Sequence, residues 1–354
     1  MKYKTYFRTL RLIDANIDRL SEGLRVLEDI SRFVLGRPQV TEALKRMRHE
    51  VIPVDPVITM QLLAARDAVG DIGRQFRFEG NQRGNLIDLV TANARRSQQA
   101  LRSLEEMSKL PEIPTEISKR DYEKARFSLY EIEKELTLLL SRQDKRERIA
   151  GVYIIIDPLS LAKRDMMEFT HEVIGGGVSA IQLRDKLLNK SALLDLAAVL
   201  ATVCREKGVL FIMNDHVDIA IAVDADGVHL GKDDLPIATA REMMSPDKLI
   251  GHTVRTVEQA LRAEVEGADY LGVGSVYPSP TKPGAPVIGL EGLEGIAKAV
   301  SIPIVAIGGI NVDNASEVIE HGADGIAVVS AVLAEKDSAS ATRHLVEIIT
   351  GKGA

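Results

Sequence analysis

Residues 303–330 read PIVAIGGINVDNASEVIEHGADGIAVVS. An apolar run, Pro303–Ile307, stops at the glycine pair Gly308-Gly309. A helical pattern follows over Val312–His321, and a second apolar run, Gly325–Val329, stops at Ser330. A strand buried on both faces is a short, nearly continuous apolar run, and a parallel neighbour is reached through a helical crossover. The segment therefore reads as one β/α/β unit. The same unit recurs back to Gly151. Candidate strands are Val152–Ile156, Ala180–Leu183, Val209–Met213, Gly227–Leu230, Leu249–His252, Tyr270–Gly274, Pro303–Ile307 and Gly325–Val329. Helical patterns follow them over Leu161–Ile174, Ser191–Glu206, Asp218–Val223, Ile237–Met244, Val257–Glu266, Leu290–Val300, Val312–His321 and Ser338–Ile349. Eight such units predict a closed parallel (β/α)8 TIM barrel. A doubly wound open sheet would want a glycine fingerprint after its first strand, where Asp157-Pro-Leu-Ser160 stands instead.

Upstream of Gly151 the pattern changes. Ile13, Ile17, Leu20, Leu24 and Leu27 recur at helical spacing, and Leu86–Leu110 and Asp121–Leu140 behave alike. Pro53 and Pro56 interrupt a helical reading between Thr41 and Leu63. Charge changes with the pattern. Residues 1–150 hold 28 Lys and Arg against 23 Asp and Glu, a net +5; the remainder holds 17 against 28, a net −11. The fold class is thus an all-α N-terminal domain plus an α/β barrel: helical domain 1–140, charged linker 141–149, barrel 150–354. The helical part carries an internal repeat. Ala15-Asn16, Arg19, Leu24-Arg25 and Leu27-Glu28 match Ala92-Asn93, Arg96, Leu101-Arg102 and Leu104-Glu105 at one offset. Two such helices pair either through repeated packing and ion pairs or around an Arg-lined anion site.

Composition excludes several classes. The chain is 45% hydrophobic and 27% charged, ordinary for a globular protein of 354 residues. Aromatics at 4%, with no Trp, argue against a stacking platform for nucleic acid. A single Cys rules out an intrachain disulfide framework. No run of about twenty apolar residues spans a membrane. The N-terminal stretch reads as neither signal nor transit peptide, so the expected location is cytoplasmic.

The polar residues cluster at predicted strand ends. Arg184-Asp185-Lys186, Asn214-Asp215, Asp233-Asp234, Thr253, Ser279-Pro-Thr-Lys282, Gly308-Gly309 and Ser330 all fall there, on the C-terminal rim where barrel active sites form. The glycine pair after strand 7 and Ser330 after strand 8 suit a phosphate held by backbone N–H groups. Across the rim, Gln182, Arg184, Lys186 and Lys282 supply an amide and cations, and Asp215 and Asp234 supply hard oxygens. Mg²⁺ takes one or two carboxylates and completes its shell with water and substrate phosphate. This set reads as a Mg²⁺–diphosphate site. Asp233 is the structural member of its pair. The histidines lack metal-ligand spacing and read as surface or core residues, and Cys204 reads as core. No GxSxG elbow or P-loop is present, and no covalent nucleophile or general base stands out. Such equipment suits a transfer in which diphosphate leaves and a second phosphorylated molecule attacks.

Gln182-Leu-Arg-Asp-Lys186, Asn214-Asp-His-Val-Asp218, Ala225-Asp-Gly-Val-His-Leu-Gly231, Thr281-Lys282, Ala306-Ile-Gly-Gly-Ile310 and Val328-Val-Ser-Ala331 resemble thiamine-phosphate synthase. The resemblance runs from about Gly151 to Ile349. It implies a (β/α)8 transferase that joins 4-amino-2-methyl-5-hydroxymethylpyrimidine diphosphate to a thiazole phosphate, releasing diphosphate. It implies that Gln182, Arg184, Asp185, Lys186, Asn214, Thr253 and Lys282 hold the pyrimidine diphosphate, with Arg184, Lys186 and Lys282 acting catalytically on the leaving group. Asp215 and Asp234 would hold Mg²⁺. Ser279, Pro280, Thr281, Gly309, Val329 and Ser330 would hold the thiazole phosphate. Thr253 and Ser279 stand where the family commonly has Ser and Thr, and both keep the hydroxyl. The implied mechanism is dissociative, through a pyrimidine-methyl cation.

In the helical part, Asp14-Ala-Asn-Ile-Asp-Arg19, Glu22-Gly-Leu-Arg-Val-Leu-Glu-Asp29, Arg66-Asp67 with Asp71-Ile-Gly73, Asp88–Asn93 and Gln99–Glu105 are similar to the domain fused to some bacterial thiamine-phosphate synthases. That domain is proposed to be an alternative hydroxymethylpyrimidine-phosphate kinase. A surface through which copies assemble is the other reading. For the barrel, the rivals are a thiazole tautomerase, which should lack the diphosphate and metal residues, and a non-catalytic barrel that binds a phosphorylated metabolite. The expected partners are small molecules, not nucleic acid or membrane.

Overall fold

The computed structural model describes residues 2–67, 83–161, 164–279 and 284–351. The chain divides into two compact units, Met1–Ser141 and Arg142–Ala354.

The first unit is helical. Its long helix α1 (Lys2–Asp29) continues into a π-helical turn, Ile30–Val34, and is followed by α2 (Pro38–Val51) and α3 (Pro56–Ala65). Asp55 caps α3 by accepting from the N–H groups of Val57 and Ile58, with Pro56 at the first helical position. After α4 (Leu86–Met107) come a single turn, α5 (Thr115–Ser118), and α6 (Tyr122–Arg148). Asn85 caps α4 through the N–H of Asp88. The apolar stripe of α1 (Ile13, Leu20, Leu24, Leu27) is fully buried, and so are Val90, Ala94, Leu101 and Leu104 of α4. The two helices touch at Gly23, where a Cβ would fall 2.1 Å from the Ser97 hydroxyl, so a larger residue forces them apart.

The polar stretch 141–148, read as a linker, is the last part of α6. It contains no Gly or Pro to stop a helix, and three of its cations, Arg142, Lys145 and Arg148, have partners within the second unit. Arg142 pairs with Asp269 at 3.4 Å, and Lys145 pairs with Asp226 at 3.2 Å and Asp247 at 3.1 Å. The Arg148 guanidinium donates to the carbonyl of Gly208.

The second unit is a closed barrel of eight parallel strands paired in sequence order. They are β1 (Val152–Ile156), β2 (Ala180–Leu183), β3 (Leu210–Asn214), β4 (Gly227–Leu230), β5 (Leu249–Val254), β6 (Tyr270–Gly274), β7 (Ile304–Ile307) and β8 (Gly325–Val328). Alternation sorts their side chains. Val152, Ile154, Ile181, Phe211, Val228, Leu271 and Ile326 pack outward against the surrounding helices, α7 (Met166–Gly175), α8 (Lys190–Lys207), α9 (Val217–Ala222), α10 (Ile237–Met243), α11 (Val257–Val265), α12 (Gly289–Ala297), α13 (Ala315–Glu320), α14 (Ser330–Leu333) and α15 (Ser338–Thr350). Tyr153, Ile155, Ala180, Leu210, Ile212, Leu249, Tyr270, Val305 and Ala327 fill the interior, with Ile149 in the same cluster.

Several element ends differ from the sequence reading. The helix expected from Leu161 starts at Met166, because Asp165 caps it through the N–H of Glu168. The one expected over Val312–His321 is Ala315–Glu320, since Asn311 and Asn314 spend their side chains on loop hydrogen bonds. β5 runs to Val254, so Thr253 lies inside a strand, not after one. Among the described residues, no helix is long and apolar enough to cross a membrane.

Candidate active site

The C-terminal ends of β2, β3 and β4 bring the expected polar residues to one part of the barrel mouth. Gln182, on β2, is 3% exposed. The next residue but one, Arg184, donates its backbone N–H to Ile156 and pairs its guanidinium with Asp157 at 2.7 Å. Asp157 has no site role in the sequence reading, although a carboxylate after strand 1 is within reach of a cation after strand 2. Asp185 is buried, and its Oδ1 accepts from the N–H groups of Leu187 and Leu188. It shapes the loop that leaves Lys186 exposed.

Asn214 ends β3, and the chain then turns sharply at Asp215, whose φ is +61°. A non-glycine residue in the left-handed region is strained, and Asp tolerates it better than most. The Asp215 N–H donates to the carbonyl of His229, which anchors the turn to β4. Asp234 accepts at 2.7 Å from the N–H of Gly231, while Asp233 is exposed beside Lys232. Burial raises the Asp215 carboxyl to about 6. A side-chain hydrogen bond with Asp234 and that group's charge push the same way, against Lys186 and His216. Two carboxyl groups therefore meet at the mouth, with a lysine near enough to act on them.

That arrangement fits a divalent cation. The donors are hard oxygens, and the like-charge opposition at Asp215 is what a cation would relieve. Among the described residues no group of three or more His, Cys, Asp or Glu forms a metal cage. A two-carboxylate site completed by water and phosphate is the type of Mg²⁺ site these residues can make.

Deeper in the barrel, five side chains form one hydrogen-bonded chain. The Gln182 amide nitrogen donates to the Tyr153 hydroxyl at 2.8 Å, and Tyr153 meets the Tyr270 hydroxyl at 3.1 Å. Tyr270 meets Nδ1 of His229 at 3.1 Å, and Nε2 of His229 meets the Thr253 hydroxyl at 2.9 Å. Glycines leave the room. A Cβ on Gly251 would lie 2.2 Å from the Tyr270 ring, and one on Gly272 would lie 2.8 Å from the His229 ring. Burial brings the His229 imidazole down to about 4, helped by His252. His229 is thus a bonded interior residue, and the sequence signal for it was the pair of glycines inside β5 and β6.

The opposite side of the mouth is built by the ends of β6, β7 and β8. Val276 and Tyr277 donate their N–H groups to Ile307 and Gly308 at 2.9 and 3.0 Å, which zips the loop after β6 to the end of β7. Gly308 and Gly309 have φ of +103° and +67°. A Cβ on Gly309 would fall 2.5 Å from the carbonyl oxygen of Pro278, so glycine is required there. Ser279 is half-buried beside this turn, and Val329-Ser330 opens the short helix α14 (Ser330–Leu333). Pro280, Thr281 and Lys282 lie outside the described residues. Cys204 is buried on a helix, its thiol pushed up to about 12 by that burial, as expected of a core residue.

In the helical unit the repeat makes matched contacts. Asn16 and Asn93 each donate to the carbonyl four residues back, at 2.8 Å. Glu28 pairs with Arg25 and Arg48, and Glu105 pairs with Arg102 and Arg126. Asp14 holds Arg66 bidentately at 2.7 and 2.9 Å. Arg19 and Arg96 are exposed. Arg95, Arg102, Arg126 and Tyr130 line a shallow cleft of about 210 Å³. Asp71, Ile72 and Gly73 lie outside the described residues.

Comparison with known proteins agrees with the barrel fold. The family described as thiamine monophosphate synthase matches residues 152–332, and the ThiD2 family matches residues 11–135. The chain is 37% identical over 339 residues to the thiamine-phosphate synthase of Nostoc sp., across 95% of this chain and 93% of that one. It is 38% identical over 341 residues to that of Gloeobacter violaceus, across 96% of each. Among solved structures, the thiamine phosphate pyrophosphorylase from Pyrococcus furiosus is similar at 45% identity and a TM-score of 0.54, over 58% of this chain and 98% of that one. The chain belongs to the thiamine-phosphate synthase family of transferases, with a ThiD2-family region ahead of the barrel.

Proposed function

We propose that the barrel joins an aminopyrimidine-methyl diphosphate to a thiazole phosphate in a Mg²⁺-dependent reaction. The observation that carries this reading is the meeting of Asp215 and Asp234 at the mouth, with the Asp215 carboxyl raised to about 6 by burial and by its neighbour. Mg²⁺ held by these two residues would supply positive charge to the leaving diphosphate. Arg184 and Lys186 stand on the adjacent strand end and bind the same group, Arg184 exchanging Asp157 for phosphate oxygens of comparable charge. Lys282 completes the cation set. Gln182, Asn214 and Thr253 orient the pyrimidine, and Asp185 shapes the loop that carries Lys186. The turn at Gly308-Gly309, with Ser279, Pro280, Thr281, Val329 and Ser330, holds the phosphate of the thiazole.

The chemistry needs no protein nucleophile. The bond between the pyrimidine methylene carbon and the diphosphate oxygen breaks, and the electron pair leaves with the diphosphate. The aminopyrimidine ring delocalises the resulting cation. The thiazole nitrogen then donates its lone pair to the methylene carbon, so no proton has to move. The residues' task is to hold both ends, exclude water and neutralise the leaving group. Full-length protein given both substrates should form thiamine phosphate and diphosphate, and EDTA should abolish the product until excess Mg²⁺ is restored. Equal rates with and without EDTA would overturn the metal assignment. No product at any Mg²⁺ concentration would overturn the reading.

For the helical unit we propose phosphorylation of the pyrimidine monophosphate to the diphosphate. The ThiD2-family match and the arginine-lined cleft support it. Full-length protein with ATP, Mg²⁺ and the monophosphate, without thiazole phosphate, should then accumulate the diphosphate. If it does not, the unit is an assembly surface, and the oligomer should depend on it.

A further inference from the structure

The five-residue chain inside the barrel has a direction. A tyrosine hydroxyl carries one proton, and the two tyrosines here are 2% and 1% exposed. Gln182 donates its amide N–H to the Tyr153 oxygen. The Tyr153 proton then has Tyr270 as its acceptor, and the Tyr270 proton has Nδ1 of His229. With the Gln182 N–H as donor, reversing either tyrosine link alone would leave a buried hydroxyl proton without an acceptor, which is costly. With Nδ1 accepting, the neutral imidazole carries its proton on Nε2 and donates it to the Thr253 oxygen. Thr253 is half-buried and keeps its own proton for a further partner. At the other end, Gln182 keeps its carbonyl oxygen. Reversing any one link reverses them all, so the two ends are coupled although they lie on different strands.

We infer that this chain fixes the hydrogen-bonding polarity of the pyrimidine site: Gln182 presents an acceptor, Thr253 presents a donor, and Tyr153, Tyr270 and His229 are positioning residues that enforce the assignment. The ring edge that fits has an amino donor next to a ring-nitrogen acceptor. A ring with an oxo group beside an N–H has the reverse pattern and meets like against like at both ends. Gly251 and Gly272 belong to the device, because a Cβ at either position would displace Tyr270 or His229. The inference rests on the proposed function, since it takes the aminopyrimidine to lie between Gln182 and Thr253.

The test uses full-length protein with saturating Mg²⁺ and thiazole phosphate. It measures KM for the aminopyrimidine diphosphate and Ki for the corresponding oxo diphosphate. Tyr270→Phe removes the central hydroxyl with little change of shape. It should raise KM about tenfold and shrink the Ki/KM ratio by about as much, with the KM for thiazole phosphate within twofold of wild type. Tyr153→Phe should do the same from the far side of the chain. Thr253→Ser should keep the wild-type ratio, and Thr253→Val should lose it. A wild-type ratio in both Phe variants, or an equal rise in both KM values, overturns the inference. If wild type turns over its substrates and the Phe variants keep the ratio, only the polarity inference fails. If wild type makes no product, the proposed function fails with it.

Discussion

The two ends of the barrel use aspartate in opposite ways. At the N-terminal end, Asp226, Asp269 and Asp324 each accept a hydrogen bond from the first N–H groups of a neighbouring strand: Phe211 at 3.0 Å, Ile250 at 2.8 Å and Ile304 at 2.8 Å. Asp269 also pairs with Arg241 and Arg142. Asp226 shares Lys145 with Asp247, and burial of Asp247 is outweighed by Ser245, Lys145 and Lys248, which hold its carboxyl below the ordinary range. At the C-terminal end, Asp215 faces another carboxyl group from a strained turn and is raised to about 6. Carboxylates at the closed end have their partners within the fold, whereas Asp215 and Asp234 at the mouth are set against each other, an opposition that the proposed cation would relieve. The division follows the general one in such barrels, where the bottom face serves stability and the top face serves chemistry.

The most severe way to test the division is to remove a carboxylate from the closed end. Asp269→Ala leaves Arg241 and the Ile250 N–H without their acceptor in a buried site, so unfolding free energy should fall by about 3–5 kcal/mol. Denaturant unfolding measures that loss, and the protein that remains folded should keep its KM values within twofold. A large kinetic defect without a stability defect would erase the contrast between the ends. At the mouth the expected result is inverted. Asp215→Asn keeps a residue that tolerates the left-handed turn but removes the charge. Turnover should drop by about a hundredfold or more, equivalent to about 2.7 kcal/mol, with no loss of stability at pH 8. Near-normal rates at low Mg²⁺ would remove Asp215 from the metal site.

Much of the mouth was legible in the sequence, because strand ends project polar residues onto one rim whatever the register. The eight apolar runs, the glycine pair at 308–309, and Asp215 and Asp234 all follow from that rule. The interior chain was not legible. Alternation shows that Tyr153, His229 and Tyr270 share the inward face, but which of them meet depends on barrel closure and on the register that sets His229 beside Gly251 and Gly251 beside Tyr270. Gly251 and Gly272 were the available hint, since glycine inside a strand marks a close approach. The closed end was written as a recurrence, Ala225-Asp226, Ala268-Asp269 and Ala323-Asp324, each just before a strand. Its meaning needs the neighbouring strand's N–H groups. The charged stretch read as a linker does hold the division between the two units, at Ser141, but its helical conformation was not legible because the partners of its cations are distant in sequence.

The finest test of the comparison is the sign of the pH dependence. Asp215 has a folded pKa raised from 3.8 to about 6, so the stability it contributes is present below about pH 4 and lost as pH rises through 6. Asp247 has a folded pKa lowered from 3.8, so its contribution is present above that value and lost as pH falls through the folded pKa. Asp215→Asn should therefore be more stable than wild type at pH 8, by about 1–2 kcal/mol once partial access to solvent is allowed for, and indistinguishable from it below pH 4. Asp247→Asn should be less stable than wild type at pH 7, by under about 1 kcal/mol, and the gap should close on acidification. Denaturant midpoints across pH, without divalent cations, give both differences. Adding Mg²⁺ at pH 8 should then raise the wild-type midpoint and leave Asp215→Asn unmoved, because a cation that binds only the native state stabilises it by mass action. Equal Mg²⁺ shifts in the two proteins would place the cation elsewhere, and pH slopes of the same sign at the two positions would mean that both ends manage their carboxylates alike.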